Sequence, residues 1–125
     1  MIPIKSQQEQ QAMREAGRMA GEVLEAACNF VRPGMSTREI DEYAAECISE
    51  RKVKSAFLGY RGYPCNICIS VNEEIVHGLA GDRCLQFGDI VSLDCGVKFD
   101  GFIGDTARTV PAGSCNLETQ KLIDV

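Results

Sequence analysis

A single hairpin constrains this 125-residue sequence more than any other feature. Ile90 to Phe99 alternates apolar and polar residues, Asp100-Gly101 follows, and Phe102 to Val110 alternates again. Asp-Gly between two alternating runs predicts a two-residue type I′ turn, because both turn positions need positive φ and these residue types tolerate it. Such a loop sets Phe99 opposite Phe102 and fixes every pair behind them. Asp94 then lies opposite Ala107, and Asp105 opposite Gly96. The two carboxylates share one face as diagonal neighbours, about 7–8 Å apart at Cα. Gly96 and Ala107 are small and leave room between the acids. Val91, Leu93, Cys95, Val97 and Phe99 take the opposite face and predict core.

Two acids on one face with no adjacent arginine repel unless something positive lies between them. A divalent cation favouring oxygen ligands, such as magnesium, manganese, cobalt, iron or zinc, meets that need. An exposed hairpin with two solvated acids meets it as well, and the pattern alone leaves both readings open.

Two helices precede the hairpin. Ser6-Gln-Gln-Glu9 is a capping box, and behind it Met13, Ala16, Ala20, Val23, Ala27 and Phe30 recur at three- and four-residue steps until Pro33-Gly34. A second box, Ser36-Thr-Arg-Glu39, opens a helix with Ile40, Tyr43, Ala44, Cys47 and Ile48 on its apolar side. The segment Ala56 to Pro64 is dense in glycine and aromatic rings, which suits a loop walling a cavity. Cys65 to Val71 alternates as a strand, Asn72-Glu73-Glu74 turns, and Ile75 to Gly78 reads as a short strand or its end.

His77 is the one histidine. It suits a hydrogen-bonded structural residue, or a site residue beside Gly78, whose missing side chain admits backbone or ligand closely. Tyr60 and Tyr63 suit core and pocket wall equally. Cys65 and Cys68 have the spacing of half a zinc site or a redox pair, but no second such pair exists. At the end, Asn116-Leu-Glu-Thr starts a helix with Leu117, Leu122, Ile123 and Val125 as its stripe and no stop signal. We read it as cut inside an element; a docked terminal helix of a small domain is the alternative.

Composition narrows the function classes. With 45% hydrophobic and 25% charged residues the chain suits one core and no repeat or linker divides it. Thirteen basic against eighteen acidic residues give a net charge of −5, the wrong sign for neutralising phosphates, so no direct nucleic-acid partner is expected. No apolar run approaches the ~20 residues of a membrane helix. The first ten residues lack a secretory layout. Seven cysteines, an odd number, suit a reduced, cytoplasmic protein better than a disulfide scaffold.

Four segments together resemble the type I methionine aminopeptidases: Gly59-Tyr-Arg-Gly-Tyr-Pro64, Ser70-Val-Asn-Glu-Glu-Ile-Val-His-Gly78, Gly88-Asp-Ile-Val-Ser-Leu-Asp-Cys-Gly96 and Asp100-Gly-Phe-Ile-Gly-Asp-Thr-Ala-Arg-Thr109. The Pro33-Gly34 break followed by Ser36-Thr37 matches as well. The resemblance covers essentially the whole chain and implies an α+β architecture. The implied architecture is half of a pita-bread (creatinase-like) fold, two amphipathic helices packed on a curved antiparallel sheet, and residues 1–125 are expected to be the amino-terminal half of one catalytic domain.

The resemblance also implies two divalent metal ions (cobalt, manganese, iron, zinc or nickel), held by two aspartates, a histidine and two glutamates. Asp94 and Asp105 match the aspartates. His77 matches a catalytic histidine that contacts substrate near the scissile amide without binding metal. Tyr60, Tyr63 and Cys68 match positions lining the methionine side-chain pocket, while Phe57 and Cys65 depart from residues common beside it. The remaining three ligands belong to the family's second half, so these 125 residues alone are expected to be inactive and prone to self-association. The implied reaction is hydrolytic removal of the initiator methionine from nascent proteins with a small second residue. The polypeptide amino terminus is then the partner, and a ribosome contact is compatible with that work. A non-catalytic binding module on the same fold is the alternative.

Overall fold

A computed structural model describes all 125 residues, Met1–Val125. Both capping boxes form. Ser6 caps α1 (Gln7–Phe30) and Ser36 caps α2 (Thr37–Glu50), each Ser side chain accepting from the N–H three residues on while the Glu there reaches back to the cap. The α1 face that turns inward is Ala16, Ala20, Val23, Leu24, Ala27 and Cys28, whereas Met13 stays 41% exposed. Short strand β1 (Lys54–Ser55), a single 3-10 turn over Tyr60–Gly62, β2 (Cys68–Val71), β3 (Ile90–Phe99), β4 (Phe102–Pro111) and α3 (Leu117–Asp124) complete the chain.

β3 is the spine of the four-stranded sheet. β1 and β2 pair with one edge of it and β4 with the other, all antiparallel. The β3–β4 register is the one the turn demands: Phe99 opposite Phe102, Asp94 opposite Ala107, Gly96 opposite Asp105. Asp100 and Gly101 both have positive φ, at 47° and 81°, as a type I′ turn requires. Counting back from that turn, Ile103, Asp105, Ala107 and Thr109 point their backbone N–H and C=O away from β3, along an edge no other strand of the chain pairs with.

Val91, Leu93, Cys95 and Val97 are fully buried against the helices, in one core with Ala20, Val23, Ile40, Ala44 and Ile48. α1 lies across β3 and β4 and α2 lies against α1. α1 approaches β4 so closely that a Cβ on Gly104 would overlap the Ala16 carbonyl.

Two strand expectations change. β2 begins at Cys68, because Cys65 to Ile67 is held by a side chain instead of a ladder. The carboxylate of Asp41 on α2, itself 8% exposed, accepts from Asn66 N, Asn66 Nδ2 and Ile67 N, each at 2.9 Å. Removing it strands buried N–H groups, so Asp41→Ala is expected to cost about 3 kcal/mol, read as a lower midpoint in urea unfolding. Ile75 to Gly78 is not a strand either; Ile75 and Val76 are 86% and 64% exposed. Gly78 alone is pinned, its carbonyl accepting from Ile69 N at 3.1 Å and its N–H donating to Ser70 Oγ at 3.0 Å. A Cβ at Gly78 would overlap the Ile69 carbonyl. The close approach foreseen at this glycine is therefore one of backbone to backbone.

Candidate active-site cleft

The sheet face away from the helices opens into a cleft of about 740 Å³. Tyr60, Tyr63, Cys68, His77, Asp94 and Asp105 all line it, so the six residues matched to the family's site reach one place, while Cys65 does not line it. The register explains three of them. Asp94 and Asp105 share the face through the hairpin, and Cys68 lies directly opposite Asp94 on β2. His77 arrives from the segment pinned at Gly78 and has a φ of 58°, a left-handed backbone held by its neighbours' hydrogen bonds. Tyr63 joins the same structure, its hydroxyl donating to the Gly78 carbonyl at 2.9 Å.

Phe57, Arg61 and Ile103 also line the cleft. The room above Gly96 is filled by the Phe57 ring, against which a Cβ at Gly96 would collide. The space expected between the carboxylates is therefore bounded on that side by an aromatic wall. Ile103 was foreseeable from the hairpin, since it alternates onto the same face of β4 as Asp105 and Ala107. Nothing in the sequence pattern foretold the placement of Phe57 over Gly96.

The cleft has a neutral wall and an acidic end. Burial pushes the Tyr63 phenol and the Cys68 thiol up, so both stay protonated at neutral pH. Asp94 is half-buried, and its carboxyl is pushed up to about 6, first by burial and then by the Asp105 charge, with His77 opposing. One Asp94 oxygen, Oδ1, is buried with no hydrogen-bond partner. A buried acceptor without a donor is costly, and a cation near the carboxylate pair relieves both the orphaned oxygen and the repulsion. The donor set thus fits a hard divalent ion at Asp94 and Asp105. The chain holds no cluster of three or more His, Cys, Asp or Glu suited to a metal.

His77 and Asp94 also border a neighbouring hollow of about 560 Å³, whose walls include Ile75, Val76, Ser92, Thr109 and Leu122. All seven cysteines are free thiols, and Cys28, Cys47 and Cys95 belong to the core. No helix is long and apolar enough to cross a membrane.

Helices on one face of an antiparallel sheet and a carboxylate pair on the other form an α+β half-domain of the pita-bread type, the fold shared with solved methionine aminopeptidases. The chain belongs to metallopeptidase family M24, whose pattern matches residues 11–125. It is 43% identical over 125 residues to a methionine aminopeptidase of Clostridium perfringens, covering 100% of this chain and 50% of that one. The crystal structure of methionine aminopeptidase from Rickettsia prowazekii superposes with a TM-score of 0.96 at 34% identity, over 99% of this chain and 50% of that one. Escherichia coli aminopeptidase P shares the fold, with a TM-score of 0.80 at 23% identity over 96% of this chain and 26% of its own. The chain spans about half the length of the curated methionine aminopeptidases it matches.

Proposed function

We propose that this chain supplies the methionine pocket and two of the metal-binding carboxylates of a methionine aminopeptidase. The observation that carries this reading is the convergence of six residues from β2, β3, β4 and two loops on one cleft, with a partnerless carboxylate oxygen at its acidic end. Asp94 and Asp105 would hold divalent metal there, and the metal supplies polarisation of the scissile carbonyl and activation of water. Tyr63, Cys68 and Tyr60 form an uncharged wall suited to a thioether side chain. The acidic end attracts the peptide's free ammonium, which orients the chain with its first residue inward. His77 lies beside Asp94, where its imidazole contacts the scissile amide and serves proton transfer.

Five ligands are implied by the family pattern and two stand here, so the 125 residues by themselves are expected to bind metal weakly and release no methionine. The nascent polypeptide amino terminus is the partner this reading requires, and a ribosome contact is compatible with it.

The test is methionine release from a Met-Ala-Ser peptide by a protein carrying these residues, together with its metal content. His77→Ala is expected to leave bound metal unchanged while lowering turnover by about 10²–10⁴-fold, the usual range for a positioned proton-transfer group. Loss of metal along with activity would reassign His77 as a ligand. Absence of any metal-dependent release would overturn the peptidase reading in favour of a binding module.

A further inference from the structure

Arg61 is the one lysine or arginine among the residues lining the cleft, whose other formal charges are the carboxylates Asp94 and Asp105. It is exposed and takes part in none of the chain's ion pairs, which use Arg18, Arg38, Arg51 and Arg83. Its guanidinium instead lies over the Tyr60 ring, with Cζ 5.4 Å from the centroid. The backbone beneath it is fixed by a tight turn. Arg61 has a φ of 49° between Gly59 at 82° and Gly62 at 81°, and the loop closes on itself through Gly59 N to Tyr63 O at 2.8 Å and Tyr63 N to Tyr60 O at 2.9 Å. An unpaired cation is thus held at the lip of a cleft whose inner charge is negative.

That layout has a direction. A peptide whose ammonium is drawn to the Asp94–Asp105 end packs its first side chain against Tyr63 and Cys68. Later residues, advancing about 3.3–3.6 Å each when extended, leave past the exposed lip formed by Tyr60 (63% exposed) and Ile103 (56% exposed). We propose that Arg61 binds a carboxylate carried by the peptide downstream of its first residue, so that the cleft favours acidic sequence there. This rests on the reading of the cleft as a peptide site. The carboxylate has two sources, an acidic side chain or the free carboxyl end of a short peptide.

The test is an NMR titration of the metal-free chain, with chelator present to prevent turnover, using four peptides. These are Met-Ala-Asp amide, Met-Ala-Lys amide, Met-Ala-Ser amide and Met-Ala-Ser with a free carboxyl end. At low salt the Asp peptide is expected to bind about 1.5- to 5-fold more tightly than the Lys peptide, the span of an exposed ion pair, and the gap should shrink in 0.5 M salt, about a 4 Å screening length. A similar gain for free-acid over amidated Met-Ala-Ser identifies the terminal carboxyl as a second source. Arg61→Asn keeps the left-handed backbone, since Asn tolerates it, and should close or reverse the gap; Arg61→Glu should reverse it. Equal binding of the Asp and Lys peptides by the unsubstituted chain, or a gap that survives in Arg61→Asn, overturns the role of Arg61 and leaves the peptide site standing. Binding of none of the four overturns the peptide site and Arg61's role together.

Discussion

Replacing either Asp94 or Asp105 by asparagine is expected to abolish divalent-metal binding at the cleft. Where these residues stand in a longer protein that turns over peptide, methionine release should fall by about 10²–10⁴-fold, because several kcal/mol of charge stabilisation is lost. Calorimetric titration with manganese or cobalt reads the first effect, and release from Met-Ala-Ser the second. Asp100→Asn is the control. Asp100 sits in the turn at a φ of 47°, a conformation Asn also tolerates, so its loss should leave both readouts near those of the unsubstituted protein. Equal losses in all three variants would remove the metal assignment.

Without metal, the same substitution acts in the opposite sense on stability. The folded Asp94 carboxyl is raised to about 6 from an ordinary 3.8, so above pH 6 the folded state carries a charge that burial and Asp105 disfavour. The metal-free Asp94→Asn chain should therefore melt at a higher temperature at pH 7. That advantage should shrink as the pH falls through 6 and vanish by about 3.8, where unfolded chains are protonated too. A carboxylate pair that weakens the empty fold and would be relieved by a bound cation is consistent with selection for binding over stability.

Gly104→Ala is expected to be the most damaging single methyl addition to the helix–sheet contact. The new Cβ would point into the Ala16 carbonyl on α1, and backbone on both sides leaves no flexible side chain to give way. Overpacking of this kind costs about 1–3 kcal/mol and more where relief is blocked, so we expect at least 3 kcal/mol in denaturant unfolding. Gly101→Ala gives the contrast: its Cβ meets nothing, and only the positive φ of 81° is penalised, at about 1–2 kcal/mol. A smaller loss at Gly104 than at Gly101 would show that α1 slides easily over β4.

Elements whose determinants are adjacent in the chain were legible from the sequence. The capping boxes at Ser6 and Ser36 and the Asp100-Gly101 turn each act within a few residues, and the turn alone carried the Asp94–Asp105 geometry with it. Segments fixed by distant partners were not. Cys65 to Ile67 alternates like a strand, yet Asp41, more than 20 residues earlier, takes the hydrogen bonds a ladder would have made. Ile75-Val76 has strand composition, but Gly78 clamps onto Ile69 and Ser70 and leaves the two side chains in the open. The wall that Phe57 builds over Gly96 belongs to the same class, because it depends on where a loop returns and not on any local pattern.

β4 offers its backbone to a neighbour on the very residues that carry the site. Ile103, Asp105, Ala107 and Thr109 turn their N–H and C=O groups outward and their side chains onto the cleft face. In an antiparallel addition, residues that bond to these four must project their own side chains to the same face. Any strand joining this edge therefore sets every second side chain in a row beside Asp105, and the opposite register would hydrogen-bond nothing. The edge works as a template: it dictates which residues of an incoming strand can become part of the acidic end, before any of their chemistry is considered.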